Sequence, residues 1–205
     1  MIKQRETQVL IIGAGTTGAA IARELSKYKV ATLLVDKQVD VGLGETKASH
    51  GFIYSGGLTA AGSLVMKSVM LPEGQTAYDH HSRKTKMEME SFKEFPALAQ
   101  ELDVTLTHDN RIMIAKDEAD LKMLTVAEKI CNDMGAEITW LDKEAILEME
   151  PHLTRDFIAG IADDGHQLSI YPWDWAIALT ENALQNGVQV MLLTEVLGIK
   201  PLEDG

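Results

Sequence analysis

The sequence predicts an α/β fold that opens on a βαβ unit, and three stretches near the N-terminus carry that reading. Val9-Leu-Ile-Ile12 is a short, continuous apolar run ending in glycines, as suits a strand buried on both faces of a parallel sheet. Thr16 to Tyr28 follows, with Ala19, Ile21, Ala22 and Leu25 forming a small-residue apolar face at helical spacing. Val30 to Val35 is a second buried strand, and strand, helix and strand in this order imply a right-handed crossover.

Beyond that unit the elements change character. Gly42 to Gly62 is rich in Gly, Ser, Thr and Ala and reads as a functional loop entering a short helix. Pro72-Glu73 is a helix start, and Met89, Phe92, Phe95 and Ala99 keep an apolar face to about Leu102, with Pro96 expected to kink or break it. Val104 to Ala115 alternates like a hairpin, with Asp109-Asn110 as its turn. Asp117 to Met134 places Leu121, Leu124, Ala127, Cys131 and Met134 on one helical face, with Gly135 at the C-cap. A strand from Glu137 to Leu141 leads to a helix from Lys143 to Met149 that Pro151 ends. Phe157 to Ala162 is a strand and Asp163-Asp164-Gly165 a turn. Pro172 opens the last helix, Asn186-Gly187 closes it, and Val188 to Ile199 is a final strand or bent pair of strands.

Composition narrows the partners. Nineteen basic against thirty-one acidic residues give a formal charge of -12, which repels phosphate polyanions, so nucleic acid is not expected. The lone Cys131 excludes an internal disulfide, and the residues before Val9 lack the apolar stretch of a secretory signal, which points to a reducing, cytoplasmic compartment. No apolar run approaches the roughly 18 residues that span a bilayer, so no transmembrane segment is expected, while peripheral contact with a membrane stays open.

Gly13-Ala-Gly-Thr-Thr-Gly18 matches G-x-G-x-x-G between a predicted strand and a predicted helix. Gly13 permits the tight turn, Gly15 lets the backbone approach a pyrophosphate, and Gly18 lets the helix pack closely on the strand. The pyrophosphate then meets free N–H groups and the positive end of the helix dipole, with Thr16 and Thr17 in that first turn. Asp36 ends the second strand eighteen residues past Gly18, where a carboxylate accepts hydrogen bonds from ribose hydroxyls and repels a 2′-phosphate. Glycines after a strand can also make an ordinary turn. Strand, hexad, helix, strand and terminal acid together favour dinucleotide binding, with FAD or NAD ahead of NADP.

Four stretches extend the reading: VLIIGAGTTGAAIARELSKY, LLVDKQVDVGLGETKASHGFIYSGG, WLDKEAILEMEPHL and IALTENALQNGVQVMLLTEVLGI. In this order they resemble the FAD-dependent oxidoreductases of the glycerol-3-phosphate dehydrogenase, 2-hydroxyglutarate oxidase and D-amino-acid oxidase group. The resemblance implies that FAD is the cofactor and that Gly44, Thr46 and Ser49 lie along its pyrophosphate and ribityl chain. It places Lys37 beside the adenosine ribose and Val196 at a backbone contact to adenine, although a buried strand valine would read the same way. Small hydroxyl residues among glycines agree with this, since they offer donors to phosphate oxygens without obstruction. Gly51 follows in the same loop and is counted with the site. His50 either approaches the pyrophosphate or makes a merely structural hydrogen bond. The family's usual His-small-Gly triplet near the isoalloxazine ring is Tyr54-Ser55-Gly56 here, which excludes a His-linked flavin at that position. Met70-Leu-Pro-Glu-Gly74 also departs from the family pattern and leaves the substrate open.

Other residues carry less. His80-His81 has no third ligand at a recognisable spacing and reads as solvated surface, so no metal site is expected. His166 reads as turn chemistry and Cys131 as core. Ser55 has no His and acid to form a triad. Trp173 and Trp175, which flank Asp174 at a helix start, read as packing residues, and Glu88, Glu90 and Glu94 alternate with Lys86 and Lys93 on a solvated helix face.

The expected organisation is a Rossmann-like FAD-binding domain from about residues 1–80 and 170–205, with residues 81–169 an inserted α+β portion of a substrate domain. The sequence ends at Leu202-Glu-Asp-Gly205, ahead of the further strand and late glycine motif that the resemblance implies, and reads as the N-terminal part of a longer protein. The expected reaction is hydride transfer from a small hydroxy acid or polyol phosphate to flavin, with reoxidation by a quinone, another acceptor or oxygen. The catalytic residues are not identified, and a homo-oligomer is left open. An NAD-dependent enzyme, an amino-acid-oxidising enzyme and a non-catalytic dinucleotide-binding module are the alternatives.

Overall fold

A computed structural model describes residues 4–54, 58, 78–133 and 138–201. The elements are β1 (Val9–Ile12), α1 (Thr16–Ser26), β2 (Thr32–Val35), a 3-10 turn (Glu45–Ala48), β3 (Phe52–Tyr54), α2 (Tyr78–Glu101), β4 (Leu106–Ala115), α3 (Glu118–Asp133), β5 (Thr139–Asp142), α4 (Lys143–Met149), β6 (Ala159–Ile170), α5 (Pro172–Gln185) and β7 (Gln189–Met191). They form an α/β protein of two compact units. Among the described residues no helix is long and apolar enough to cross a membrane.

The first unit comprises Met1–Gly51, Ala99–Thr105 and Ile170–Gly205. Its sheet has the order β1-β2-β7, parallel throughout, with Ile11 opposite Leu34 and Val35 opposite Met191. The continuous apolar runs have the burial that parallel pairing demands in β2, whose four residues are all buried. Ala19 and Ala22 on α1 and Ala183 on α5 are fully buried, and such small side chains let two helices close over one face of the sheet. Ile11, Ala14, Ala22, Leu34, Val41, Ala183 and Val188 form the core there. Arg23 is also buried, and its guanidinium pairs with Glu24 at 2.8 Å and with Glu101 at 2.5 Å, which ties the end of α2 to α1.

The second unit comprises Phe52–Leu98 and Leu106–Ser169. The long strand β6 lies at its centre, with β4 along one edge and β3 and β5 both antiparallel to it. The apolar stripe of α3 (Leu124, Ala127 and Cys131) buries against Ala115, Ile161 and Leu58. Burial, and secondarily the charge of Asp163, pushes the Cys131 thiol up to about 12, so it is a core residue rather than a nucleophile. The helix from Lys143 to Met149 is the one the sequence predicts, and the Asp142 side chain caps it by accepting from the Ala145 N–H at 2.9 Å.

Four expectations are corrected. The hairpin with its turn at Asp109-Asn110 is instead the single strand β4, because β6 supplies partners there: the Ser169 hydroxyl donates to the Asp109 carboxylate. The turn at Asp163-Asp164-Gly165 is likewise absent, since β6 runs through it, held by β5 before it and β3 after it. Tertiary pairing overrides local turn preference at both places. Helix α2 runs through Pro96 without a break. The final strand covers only Gln189–Met191, after which Leu193 adopts a left-handed φ of 52° and the chain leaves the sheet. The expected helix start at Pro72-Glu73, the C-cap at Gly135, the Ser55-Gly56 pair and the Met70–Gly74 stretch lie outside the described residues. The side chains of His80, His81 and His166 do so too.

Candidate dinucleotide site

The site begins where β1 ends. Gly13 has a φ of 104°, a conformation open to glycine, and it reverses the chain into α1. A Cβ on Gly18 would lie 1.9 Å from the Gly13 carbonyl oxygen and 3.3 Å from Ile11 Cγ2, so the first turn of α1 can lie on the strand end only with glycine there. Gly15 is the N-cap of α1 and has no side chain to occupy the helix end, and no acidic residue stands in the first turn. The N–H groups of Thr17 and Gly18 therefore open an end that suits an anion.

The loop after β2 folds back onto this end. Thr46 Oγ1 accepts from the Thr16 N–H at 3.0 Å and lies 3.3 Å from Thr16 Oγ1. A Cβ on Gly15 would meet the same Thr46 oxygen at 3.0 Å. Gly44 is exposed beside the 3-10 turn, with nothing within 4 Å of where a Cβ would stand. Farther along, Ser49 and His50 are exposed, and the Ser49 hydroxyl accepts from the Gly51 N–H at 3.4 Å. Gly51 is buried against Ile170, where a Cβ would come within 2.1 Å of the Ile170 carbonyl oxygen. Thr46 is thus joined to the glycine-rich turn, whereas Ser49 and Gly51 belong to the far end of the loop.

Asp36 closes the other side. One carboxylate oxygen accepts from the Ala14 N–H at 2.7 Å, inside the glycine hexad, and the other accepts from the Gln38 N–H at 2.8 Å. Each oxygen keeps a further lone pair, so the carboxylate is oriented and still able to accept. The segment after β7 is stitched alongside: the Asp36 N–H donates to Met191 O at 3.0 Å, Thr194 N–H to Asp36 O at 2.8 Å, and Leu193 N–H to Gln38 O at 2.9 Å. These bonds bring together a cleft of about 300 Å³ lined by Ile12, Gly13, Val35, Asp36, Lys37, Thr194, Glu195 and Val196.

Gly13, Asp36, Lys37 and Val196, far apart in the chain, therefore share one cleft. The sequence reading missed Ile12, Val35, Thr194 and Glu195 as lining residues. Ile12 and Val35 carried a signal, being the strand residues immediately before Gly13 and Asp36. Thr194 and Glu195 did not, because the left-handed Leu193 that turns them in has no signature of its own. Among the described residues no group of three His, Cys, Asp or Glu side chains could hold a metal ion.

An adenosine diphosphate moiety fits this arrangement. The cleft offers a carboxylate for ribose hydroxyls, and the bare glycine turn offers N–H groups and threonine hydroxyls for a diphosphate. The chain matches the family model described as FAD dependent oxidoreductase, DAO, over residues 8–205. A glycerol 3-phosphate dehydrogenase of Caloramator mitchellensis is 34% identical over 198 residues, covering 96% of this chain and 37% of that protein. A glycine oxidase of Geobacillus kaustophilus (strain HTA426) is 28% identical over 206 residues, covering 96% of this chain and 48% of that one. The solved structure of dithionite reduced L-alpha-glycerophosphate oxidase from Mycoplasma pneumoniae with FAD bound shares the fold, with a TM-score of 0.79 at 24% identity over 98% of this chain and 48% of that one. The chain spans less than half the length of each of these relatives. It belongs to the DAO family of FAD-dependent oxidoreductases.

Proposed function

We propose that this chain supplies the part of an FAD-dependent dehydrogenase or oxidase that holds the adenosine and diphosphate of the cofactor, in an enzyme that oxidises a small hydroxy acid or a polyol phosphate resembling glycerol 3-phosphate. The carrying observation is the convergence of Gly13, Asp36, Lys37 and Val196 on one cleft beside the open end of α1. In this reading the Asp36 carboxylate accepts from the ribose hydroxyls, with the Ala14 and Gln38 N–H groups holding it in place. Lys37 lies beside the ribose, and the backbone at Val196 meets the adenine edge. Gly15, Thr16, Thr17, Gly18, Gly44 and Thr46 receive the diphosphate, while Ser49, His50 and Gly51 lie toward the ribityl chain. The bound flavin supplies the hydride-accepting chemistry, and the protein positions it.

The first unit is then the FAD-holding part and the second a portion of the substrate domain. The electron acceptor in this reading is a quinone, another acceptor or oxygen. The polyol phosphate is preferred because the 34% identical relative is a glycerol 3-phosphate dehydrogenase. A second reading, oxidation at a C–N bond, draws on the 28% identical glycine oxidase. Dye reduction by the purified natural gene product, challenged with glycerol 3-phosphate, small 2-hydroxy acids and glycine, separates the two. Turnover with glycine alone would replace the first reading by the second, and a colourless protein that cannot be reconstituted with FAD would remove both.

A further inference from the structure

We infer that Gly42 is a positioning residue for the cofactor's diphosphate: it pins the loop from Gly42 to Gly51 between the glycine-rich turn and α5, and so holds the Thr46 hydroxyl over the first turn of α1. The inference rests on the FAD reading above.

Both backbone groups of Gly42 are committed. Its N–H donates to Ala14 O at 2.8 Å, which ties the loop to the middle of the glycine hexad, and its carbonyl accepts from the Lys47 N–H at 3.0 Å, which closes a turn around Thr46. Within that turn Thr46 Oγ1 accepts from the Thr16 N–H. A hydroxyl that accepts from the Thr16 N–H and the Thr16 hydroxyl keeps its own proton, so Thr46 can carry the donor character of the helix end outward to a phosphate oxygen.

Space and backbone conformation both favour glycine at position 42. Its φ is 69°, and a Cβ would stand 3.2 Å from Ala176 Cβ and 3.7 Å from Thr46 Cγ2 and Trp173 Cα. Ala176 is fully buried on α5 together with Trp175, Leu179 and Ala183, so the helix has little room to retreat. Gly187 provides the contrast, with a φ of 95° and nothing within 4 Å of its Cβ position, which is strain without collision. The Asp36 cleft is lined by neither Gly42 nor Thr46. Ala14 joins the two parts, its carbonyl accepting from Gly42 and its N–H donating to Asp36, so a disturbed loop acts first on the diphosphate side and only through Ala14 on Asp36.

The experiment compares the natural gene product with its Gly42→Ala, Gly42→Ala/Ala176→Gly and Gly187→Ala variants. FAD affinity is read by flavin fluorescence quenching, ADP and adenosine affinities by calorimetry, and folding by thermal melts. Gly42→Ala is expected to weaken FAD and ADP about tenfold or more, as strain and displacement at a clamped loop imply, and to weaken adenosine distinctly less. Adding Ala176→Gly should restore part of the loss, and Gly187→Ala should lower the melting temperature without changing any affinity. Should Gly42→Ala fail to fold, Ala176→Val crowds Gly42 from the helix side and is expected to show the same selective loss. Wild-type ADP affinity in the crowded variant, or parallel loss of adenosine and ADP, would overturn the inference. Wild-type protein that binds neither FAD nor ADP would instead overturn the FAD reading.

Discussion

The two units each depend on a glycine that leaves no room for a side chain, yet the consequences differ. In the first unit a Cβ on Gly18 would stand 1.9 Å from the Gly13 carbonyl oxygen, at the turn that presents the helix end. In the second a Cβ on Gly160 would stand 2.7 Å from the Met113 carbonyl oxygen and 2.8 Å from Ile146 Cδ1, where β6 runs against β4 beneath α4. Both obstacles include backbone, which cannot rotate away. In the function proposed above the first glycine shapes the cofactor site and the second only a core, so the same steric demand bears on function in one place and on stability in the other.

Substitutions can break that contrast. The largest effect is expected from Gly18→Ala, which must push α1 off the strand end at a cost of about 3 kcal/mol or more, and FAD retention and the thermal melt should fail together. Asp36→Ala comes next: it removes a charge-assisted acceptor and should weaken FAD by about 1.5–3 kcal/mol in a fluorescence titration. Gly160→Ala should lower stability by about 1–3 kcal/mol in urea and leave FAD affinity intact, and a parallel loss of affinity would erase the distinction between the units. Asp142→Ala removes the cap of α4 and should cost about 1 kcal/mol by the same urea measurement, again with FAD affinity unchanged.

The last effect, absent at neutral pH, concerns Cys131. Its thiol is raised in the folded protein to about 12 from an ordinary 9.0, so the folded state holds the proton more tightly than the unfolded chain does. The associated stabilisation is fully present below about pH 9 and is lost as pH rises toward about 12. Urea midpoints of wild type should therefore fall in that window more steeply than those of Cys131→Ala. At pH 8 a disulfide reagent should label Cys131 only as the protein unfolds.

The legibility of the chain follows how far apart the partners lie. The β1–α1–β2 unit, the glycine hexad and Asp36 were readable because strand burial, helix spacing and a tight turn are settled within a few residues of each other. The helix from Lys143 to Met149 was readable for the same reason, through the Pro151 that follows it, whereas its Asp142 cap emerged only in the structure. The turns expected at Asp109-Asn110 and Asp163-Asp164-Gly165 went wrong because both stretches carry turn-forming residues whose preference loses to strand pairing outside the local stretch, with β6 in the first case and with β5 and β3 in the second.

The amino-acid sequence by itself determined the parallel βαβ start, the open helix end and the carboxylate that follows it, since each rests on local backbone freedom and apolar patterning. Tertiary structure alone decided that Thr46 lies over that helix end, that Thr194 and Glu195 share the cleft with Asp36, and that Gly42 packs against Ala176. Those outcomes depend on hydrogen bonds across the chain, such as Gly42 N–H to Ala14 O and Thr194 N–H to Asp36 O, and on the position of Ala176 in a helix more than a hundred residues on. No local pattern encodes a contact whose other half lies so far along the chain.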